Sequence, residues 1–256
     1  MLVDREEPLP TTPGLLRTWN LVLGLLHATQ GGAILVLADG FSLPVTGGFL
    51  EGPPGTPPGA PATLFDVRIA WGVALFLFLS AAAHLLLASP AIDAWYRRHL
   101  GEARNYARWV EYSVSASVMV VLIAMITGIS DVAALIAIFG ANAAMIFFGL
   151  LQERYERPGG SLLPFWLGSL VGAAPWLAIG VYLWGPGSSA EPPGFVYAIY
   201  VSLFVFFFSF AANQWLQYRR KGRWADYLYG ERVYMILSLS AKSALAWQVF
   251  AATLAG

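Results

Sequence analysis

Seven stretches of apolar residues, each close to twenty positions long, follow one another along the chain with short polar breaks between them. They lie at about 15–38, 65–89, 105–128, 131–152, 161–184, 194–217 and 231–254. A run of about 20 apolar residues is what an α-helix needs to cross the hydrocarbon core of a bilayer. The period-two alternation of barrel strands is missing, and backbone polar groups in lipid must be satisfied within their own segment, so all seven are predicted as helices. The pattern gives an all-α membrane protein, a seven-helix transmembrane bundle forming one domain over residues 1–256, with no internal repeat.

One long break interrupts the pattern, at 39–64. Its first half, FSLPVTGGFLEG, alternates around Gly47 and Gly48 and predicts a small β-hairpin, while PPGTPPGAPA predicts extended, irregular chain. Composition agrees with the membrane assignment: 57% of residues are hydrophobic and 12% charged, too apolar for a soluble domain of this length. Cysteine is absent, which removes disulfides and thiol chemistry, and no metal-ligand spacing occurs. The opening MLVDREEPLPTTPG lacks a basic region followed by an apolar core and cleavage site, so the mature chain is expected to begin at or near Met1.

Charge sets the expected orientation. With a cytoplasmic N-terminus, the inner side carries Arg5, Arg17, Arg97, Arg98, Arg104, Arg108, Arg154, Arg157, Arg219, Arg220, Lys221, Arg223 and Arg232, and the outer side only Arg68. By the positive-inside rule the N-terminus is cytoplasmic, the C-terminus and the 39–64 loop extracellular. The run RRKGR at 219–223 reads as a topogenic signal that also suits anionic lipid or an acidic partner.

The remaining basic residue, Lys242, lies near the middle of the last apolar segment. A lysine there costs roughly 2.5–3.5 kcal/mol even on the lenient insertion scale, so it needs a partner or a use. Setting helix ends aside, the ionisable groups at membrane depth are Lys242, Glu111, His27 and His84. Glu111 is the acid on offer. Counted from the segment starts, Lys242 lies ~16 Å deep and Glu111 ~10 Å, a gap that the lysine stem, leaning toward its helix N-terminus, largely spans. Ser115 shares a face with Glu111, Met119 continues it, and Ser238 shares one with Lys242. A polar cavity holding Glu111, His84 and His27 is expected on the cytoplasmic side of Lys242, with Asn20 and Gln30 contributing. Two uses of this set stand open: covalent imine formation between the lysine and an aldehyde, or a channel or transporter in which Lys242 and Glu111 handle protons or a small solute. Enzyme catalysis is not expected, because the short basic loops hold no nucleophile and base arrangement.

The motif RWVEYSVSASVM around Glu111, the SLSAK ending at Lys242, the inverted orientation and the long first extracellular loop together resemble a heliorhodopsin, within the retinal-binding rhodopsins. The likeness covers essentially the whole chain. It implies a light-sensing photoreceptor with all-trans retinal on Lys242 as a protonated Schiff base and Glu111 as counterion. It implies a proton-accepting polar cavity with His27 and His84, and a polar lining of Asn142, Ser115 and Ser238. The ionone-ring pocket would be Tyr112, Met119, Asn142, Phe206 and Phe207. The family also implies a homodimer through the fourth and fifth helices and the first extracellular loop, for which Gly168 and Gly172 on the fifth helix offer a small-xxx-small pattern. A cytoplasmic signalling partner would receive the output.

One departure bears on activity. Proton pumps of the wider superfamily carry a carboxylate at the counterion position, another eleven residues later and a third four residues before the lysine. Here those positions are Glu111, Leu122 and Ser238. A vectorial relay needs titratable groups on both sides of the imine, so light-driven ion pumping is not expected and the output would be conformational.

Overall fold

A computed structural model describes residues 13–57, 59–185 and 191–254. Arg5 and the expected start at Met1 lie outside them. Eight α-helices and one two-stranded sheet occur in the order α1 (Pro13–Leu37), β1 (Ser42–Gly47), β2 (Ala62–Arg68), α2 (Ile69–Ala88), α3 (Pro90–Gly101), α4 (Tyr106–Ile126), α5 (Val132–Tyr155), α6 (Leu163–Trp184), α7 (Gly194–Tyr218) and α8 (Tyr227–Val249). Seven of these are long and apolar enough to span a membrane. The exception is α3. Several spans are apolar all round, as suits lipid contact: on α6, Leu170 and Leu177 are 73% and 68% exposed while Phe165, Trp176 and Ile179 are buried.

Local chemistry fixes the ends. Asn105, Asp131 and Asp226 accept hydrogen bonds from the first-turn amides of α4, α5 and α8. Pro90 at the first position of α3 ends α2 at Ser89 and starts the next helix at once. Gly128 after α4 has φ +100°, which a side chain would strain. A 3-10 turn, Gly222–Ala225, precedes α8, and a π turn, Phe250–Leu254, follows it.

Three sequence expectations change. The sheet is antiparallel, but Gly47 and Gly48 are not its turn: β1 pairs with 62–68, on the far side of the proline-glycine run, from Ser42↔Arg68 to Gly47↔Ala62. Residues 65–68, read as the start of the second helix, therefore belong to a strand. Thr46 ties the sheet to the α4–α5 turn through its amide (2.8 Å to the Ser130 carbonyl) and its hydroxyl (2.9 Å to Ser130 Oγ). The amphipathic α3 has no counterpart among the seven predicted spans, because its twelve residues fall short of one. It buries Asp93, Tyr96 and Leu100 and leaves Trp95, Arg97 and Arg98 exposed. Burial pushes the Tyr96 hydroxyl above the usual phenol range. Finally, Gly168 and Gly172 face inward: a Cβ on either would meet Met145 or Phe148 of α5, so the small pattern serves close α5–α6 packing within the chain.

The bundle has a basic end, which carries α3 and the α7–α8 connection, and a hairpin end, which carries the sheet. Toward the hairpin end a large apolar core joins Ile34, Phe76, Leu77, Ile123, Ile179, Leu203 and Leu245. A smaller cluster at the basic end holds Leu16, Leu23, Leu87, Tyr96, Leu100 and Met235. A polar seam runs between α4 and α8. Adjacent helices pack closely in most pairs, but α6 and α7 touch at few points.

Candidate functional site: a buried lysine and carboxylate beside an apolar cavity

On α8, Glu231, Met235, Ser238 and Lys242 follow one another at helical spacing and all are buried. On α4 the facing stripe is Arg108, Glu111 and Ser115. Lys242, 3% exposed, donates from Nζ to Glu111 Oε1 at 2.9 Å, to Ser80 Oγ at 2.5 Å and to Ser238 Oγ at 3.2 Å. Ser80 in turn donates to Glu111 Oε1 at 2.6 Å. The amine thus has three oxygen partners, filling its donor capacity, and its charge is balanced by one carboxylate. The Tyr112 ring lies 5.0 Å from Nζ, within cation–π range.

His84 stands on the basic-end side of this pair and lines a small cavity there, whereas His27, expected in the same cavity, stacks on His84 and is not among the lining residues. His84 Nδ1 is 2.7 Å from Asn20 Oδ1, and its ring stacks on that of His27 at 5.7 Å. His27 is fully buried with both ring nitrogens lacking a hydrogen-bond partner among the described residues. Asn20, His84, Glu111, Tyr112, Arg108 and Glu231 line a small cavity of about 40 Å³, room for one or a few waters. Gln30 does not join it: its Oε1 accepts from Trp247 Nε1 at 3.0 Å, toward the hairpin end.

On its other side Lys242 opens into a much larger cavity, about 650 Å³, between α4, α5, α6, α7 and α8. Its walls are Met119, Trp176, Phe204, Phe207 and other mostly apolar side chains, with Ser238 and Lys242 also in the lining. The volume is that of a small-molecule site, and its chemistry suits a long apolar molecule with one reactive end. Tyr112, Met119, Phe207 and Ser238 line it; Phe206 and Asn142 are not among the lining residues. Asn142 is buried and donates to Ser117 Oγ at 3.0 Å. Ser115 is fully buried, its hydroxyl without a hydrogen-bond partner among the described residues.

Against the profile of the heliorhodopsin family, the chain matches over residues 16–254. It belongs to the heliorhodopsin family. Membership makes this heliorhodopsin a multi-pass membrane protein of the retinal photoreceptor type, and implies a retinal chromophore. The walls and the single amine of the large cavity fit that group. No curated protein matches the sequence. Among solved structures, the crystal structure of a cyanorhodopsin from the cyanobacterium Tolypothrix sp. NIES-4075 is similar, at a TM-score of 0.63 and 12% identity over 94% of each chain, which is a likeness of fold.

Sequence reasoning passed over two features of this heliorhodopsin. Ser80 bridges the lysine and the carboxylate; its signal was a lone serine in the apolar run of α2, one turn before His84. At the basic end Arg108, read as a helix-end charge, is 6% exposed and pairs with Glu153 (Nη2–Oε1, 2.7 Å) and with Glu231. Both acids lie close to helix ends in the sequence, which hid their burial.

Proposed function

We propose that this heliorhodopsin is a light sensor that holds all-trans retinal on Lys242 as a protonated Schiff base with Glu111 as counterion, moves no ion across the membrane and signals by a change of conformation. The observation that carries this is the Lys242 amine, 2.9 Å from Glu111 on one side and open to the 650 Å³ apolar cavity on the other. Retinal supplies the light absorption and the isomerisation. The chain's own residues do the rest. Glu111 keeps the attached nitrogen protonated; Ser80 and Ser238 orient its N–H, and Met119, Phe207 and Tyr112 exclude water from the polyene side.

The same geometry supports a proton leaving toward the basic end. There the cavity offers Glu111, His84 and Asn20, with His27 stacked behind, whereas toward the hairpin end the side chains around α8 are Leu245, Val249 and the non-titratable Gln248, which accepts from Ser202 at 3.1 Å. A proton that moves into the histidine-lined cavity and returns crosses nothing. The thirteen basic residues expected at one end against Arg68 at the other support a cytoplasmic N-terminus and an extracellular sheet. We also place the protein as a homodimer with a cytoplasmic signalling partner; since Gly168 and Gly172 are spent on α5–α6 packing, the dimer contact would use the exposed α5 and α6 side chains, such as Ile136, Leu170 and Leu177.

The test is addition of all-trans retinal to purified apoprotein. A visible band bleached by hydroxylamine, and a borohydride-trapped adduct mapping to Lys242, are expected. The alternative, a chromophore-free channel or transporter, predicts no such band. A coloured covalent pigment in Lys242→Ala would overturn the assignment.

A further inference from the structure

The cluster at the basic end does not balance. Glu153 Oε1 accepts from Arg108 Nη2 at 2.7 Å and Tyr227 Oη at 2.8 Å, and Oε2 from the Asn105 amide at 2.8 Å and Trp109 Nε1 at 2.6 Å. Four donors on two oxygens is the environment of an ionised carboxylate. Glu231 has fewer: Arg108 Nη1 on Oε1 and Asn105 Nδ2 on Oε2 at 2.7 Å. Both acids are nearly inaccessible, with side chains 5% and 2% exposed, and they share one guanidinium. Lys242 is already matched by Glu111.

Among the described residues the other titratable groups around Glu231 place no second cation against it, His84 being bonded to Asn20 instead. They are Tyr227 and Tyr234 on α8, Tyr96 on α3, His84 on α2, and Glu111 and Tyr112 on α4. None of the neighbouring arginines forms an ion pair with Glu231 among the described residues: Arg104 bonds Glu102 and the Arg154 carbonyl, Arg17 bonds the Ala88 carbonyl, and Arg232, whose buried Nε has no hydrogen-bond partner there, lies 5.6 Å from the centre of the Tyr229 ring. Two carboxylates in one water-poor site with a single positive partner do not both stay ionised; one keeps its proton. The hydrogen-bond inventory says which. Glu153 is saturated with donors and has no acceptor for an O–H, while Glu231 lines the 40 Å³ cavity that also holds Glu111 and has space to donate.

We infer that Glu231 is a neutral carboxylic acid in the resting protein, and that through it and Arg108 a change of charge on the Lys242–Glu111 pair is felt at the basic end of the bundle. Arg108 precedes Glu111 by one turn on α4, and Glu231 shares the α8 stripe of Lys242, so the two charge groups are joined by two helices and one cavity. The second half of the inference rests on the retinal reading; the first does not.

The experiment is infrared spectroscopy of the purified protein at neutral pH, without chromophore. A carbonyl stretch of an unionised carboxylic acid, lowered in D₂O, is expected in the wild type and lost in Glu231→Gln. Glu153→Gln is the second variant: with a single carboxylate left opposite Arg108, Glu231 ionises and the band is lost there too. Absence of the band in the wild type, as when a bound cation balances two carboxylates, or its survival in either variant, overturns the assignment. After loading with retinal, the light-minus-dark spectrum is expected to contain a shift of this same band, missing in Glu231→Gln; a band indifferent to light overturns the coupling. Failure of retinal to bind would leave the first arm intact and defeat only the reading beneath the second.

Discussion

Glu111→Gln isolates the electrostatics of the proposed chromophore site, because the amide nearly matches the carboxylate in shape and Ser80 and Ser238 stay to hold the nitrogen. What is removed is the carboxylate 2.9 Å from a cation that is 3% exposed. Breaking a buried pair by deleting one partner costs about 3–5 kcal/mol, since the other charge stays in a medium that solvates it poorly. A protonated imine can escape that cost by releasing its proton. At about 1.4 kcal/mol per tenfold, the balance between protonated and deprotonated pigment therefore moves by a factor of roughly 10²–10⁴ toward the deprotonated form. The assay is the absorption spectrum of retinal-loaded wild type and variant at neutral pH. The variant should lose most of its visible band to a near-ultraviolet one, and whatever protonated pigment survives should be red-shifted, because no fixed negative charge holds the positive charge near the nitrogen. A variant with the wild-type spectrum and the same protonated fraction would refute the counterion assignment, whatever the distance between the two side chains.

Ser80→Ala should keep the ion pair but remove the bridging hydroxyl, costing about 1.5–3 kcal/mol as a hydrogen bond to a charged group, read as a smaller spectral shift than in Glu111→Gln and lower thermal stability of the pigment. Gly149→Ala should be disruptive despite its size, because the new methyl would meet the six-membered ring of Trp109, whose Nε1 is held by Glu153 at 2.6 Å; a loss of about 1–3 kcal/mol by thermal or denaturant unfolding is expected, and wild-type stability would argue against that packing. Gly172→Leu should destabilise the single chain by pushing α6 off Met145, so purified variant should unfold more readily with its association state unaltered; a purely oligomeric defect would contradict the inward placement of this glycine. Illuminated cells should give no sustained proton current, and a steady light-driven current or external pH change would overturn the sensor reading.

Much of this was legible in the sequence for physical reasons that differ from element to element. Spans announce themselves by length and hydropathy, and a lone lysine in such a span demands a partner, which is why Lys242 and Glu111 emerged together. The strand 62–68 did not, because TLFDVR continues without a break into the apolar run of α2 and hydropathy alone cannot separate a short strand from a helix start. Twelve-residue α3 fell below the spanning length, although its Pro90 start and its buried Asp93, Tyr96 and Leu100 at i, i+3 and i+7 are an amphipathic pattern. Gln30 and Asn20 were weighed alike from one helix, yet Asn20 meets His84 while Gln30 binds Trp247. Ten residues put Gln30 ~15 Å nearer the hairpin end than Asn20, and rotation about the axis, which a helix apolar on nearly all sides leaves unmarked in the sequence, sets the partner each one meets.

Position near helix ends concealed the basic-end cluster, and its burial changes how the site is understood. In the sequence Arg108 counts among the inner-side basic residues, and Glu153 and Glu231, close to helix ends, draw no attention. Buried together, they form a second ionisable group, with Glu153 on α5 and the other two on the helices that carry the first: α4 holds Arg108 and Glu111, α8 holds Glu231 and Lys242. Buried charge tolerates little rearrangement without a compensating move by its partner. A light-driven proton displacement at Lys242 would alter the field at Arg108 one turn from Glu111, and Arg108 is also stacked on Trp109 and Tyr234, at 4.4 and 3.9 Å from their ring centres. Any adjustment of that guanidinium displaces aromatic packing at the basic end. A sensor of the proposed kind, without a pumping relay, would need such a path from chromophore to surface, and the α4–α8 seam would provide one without moving an ion across the bundle.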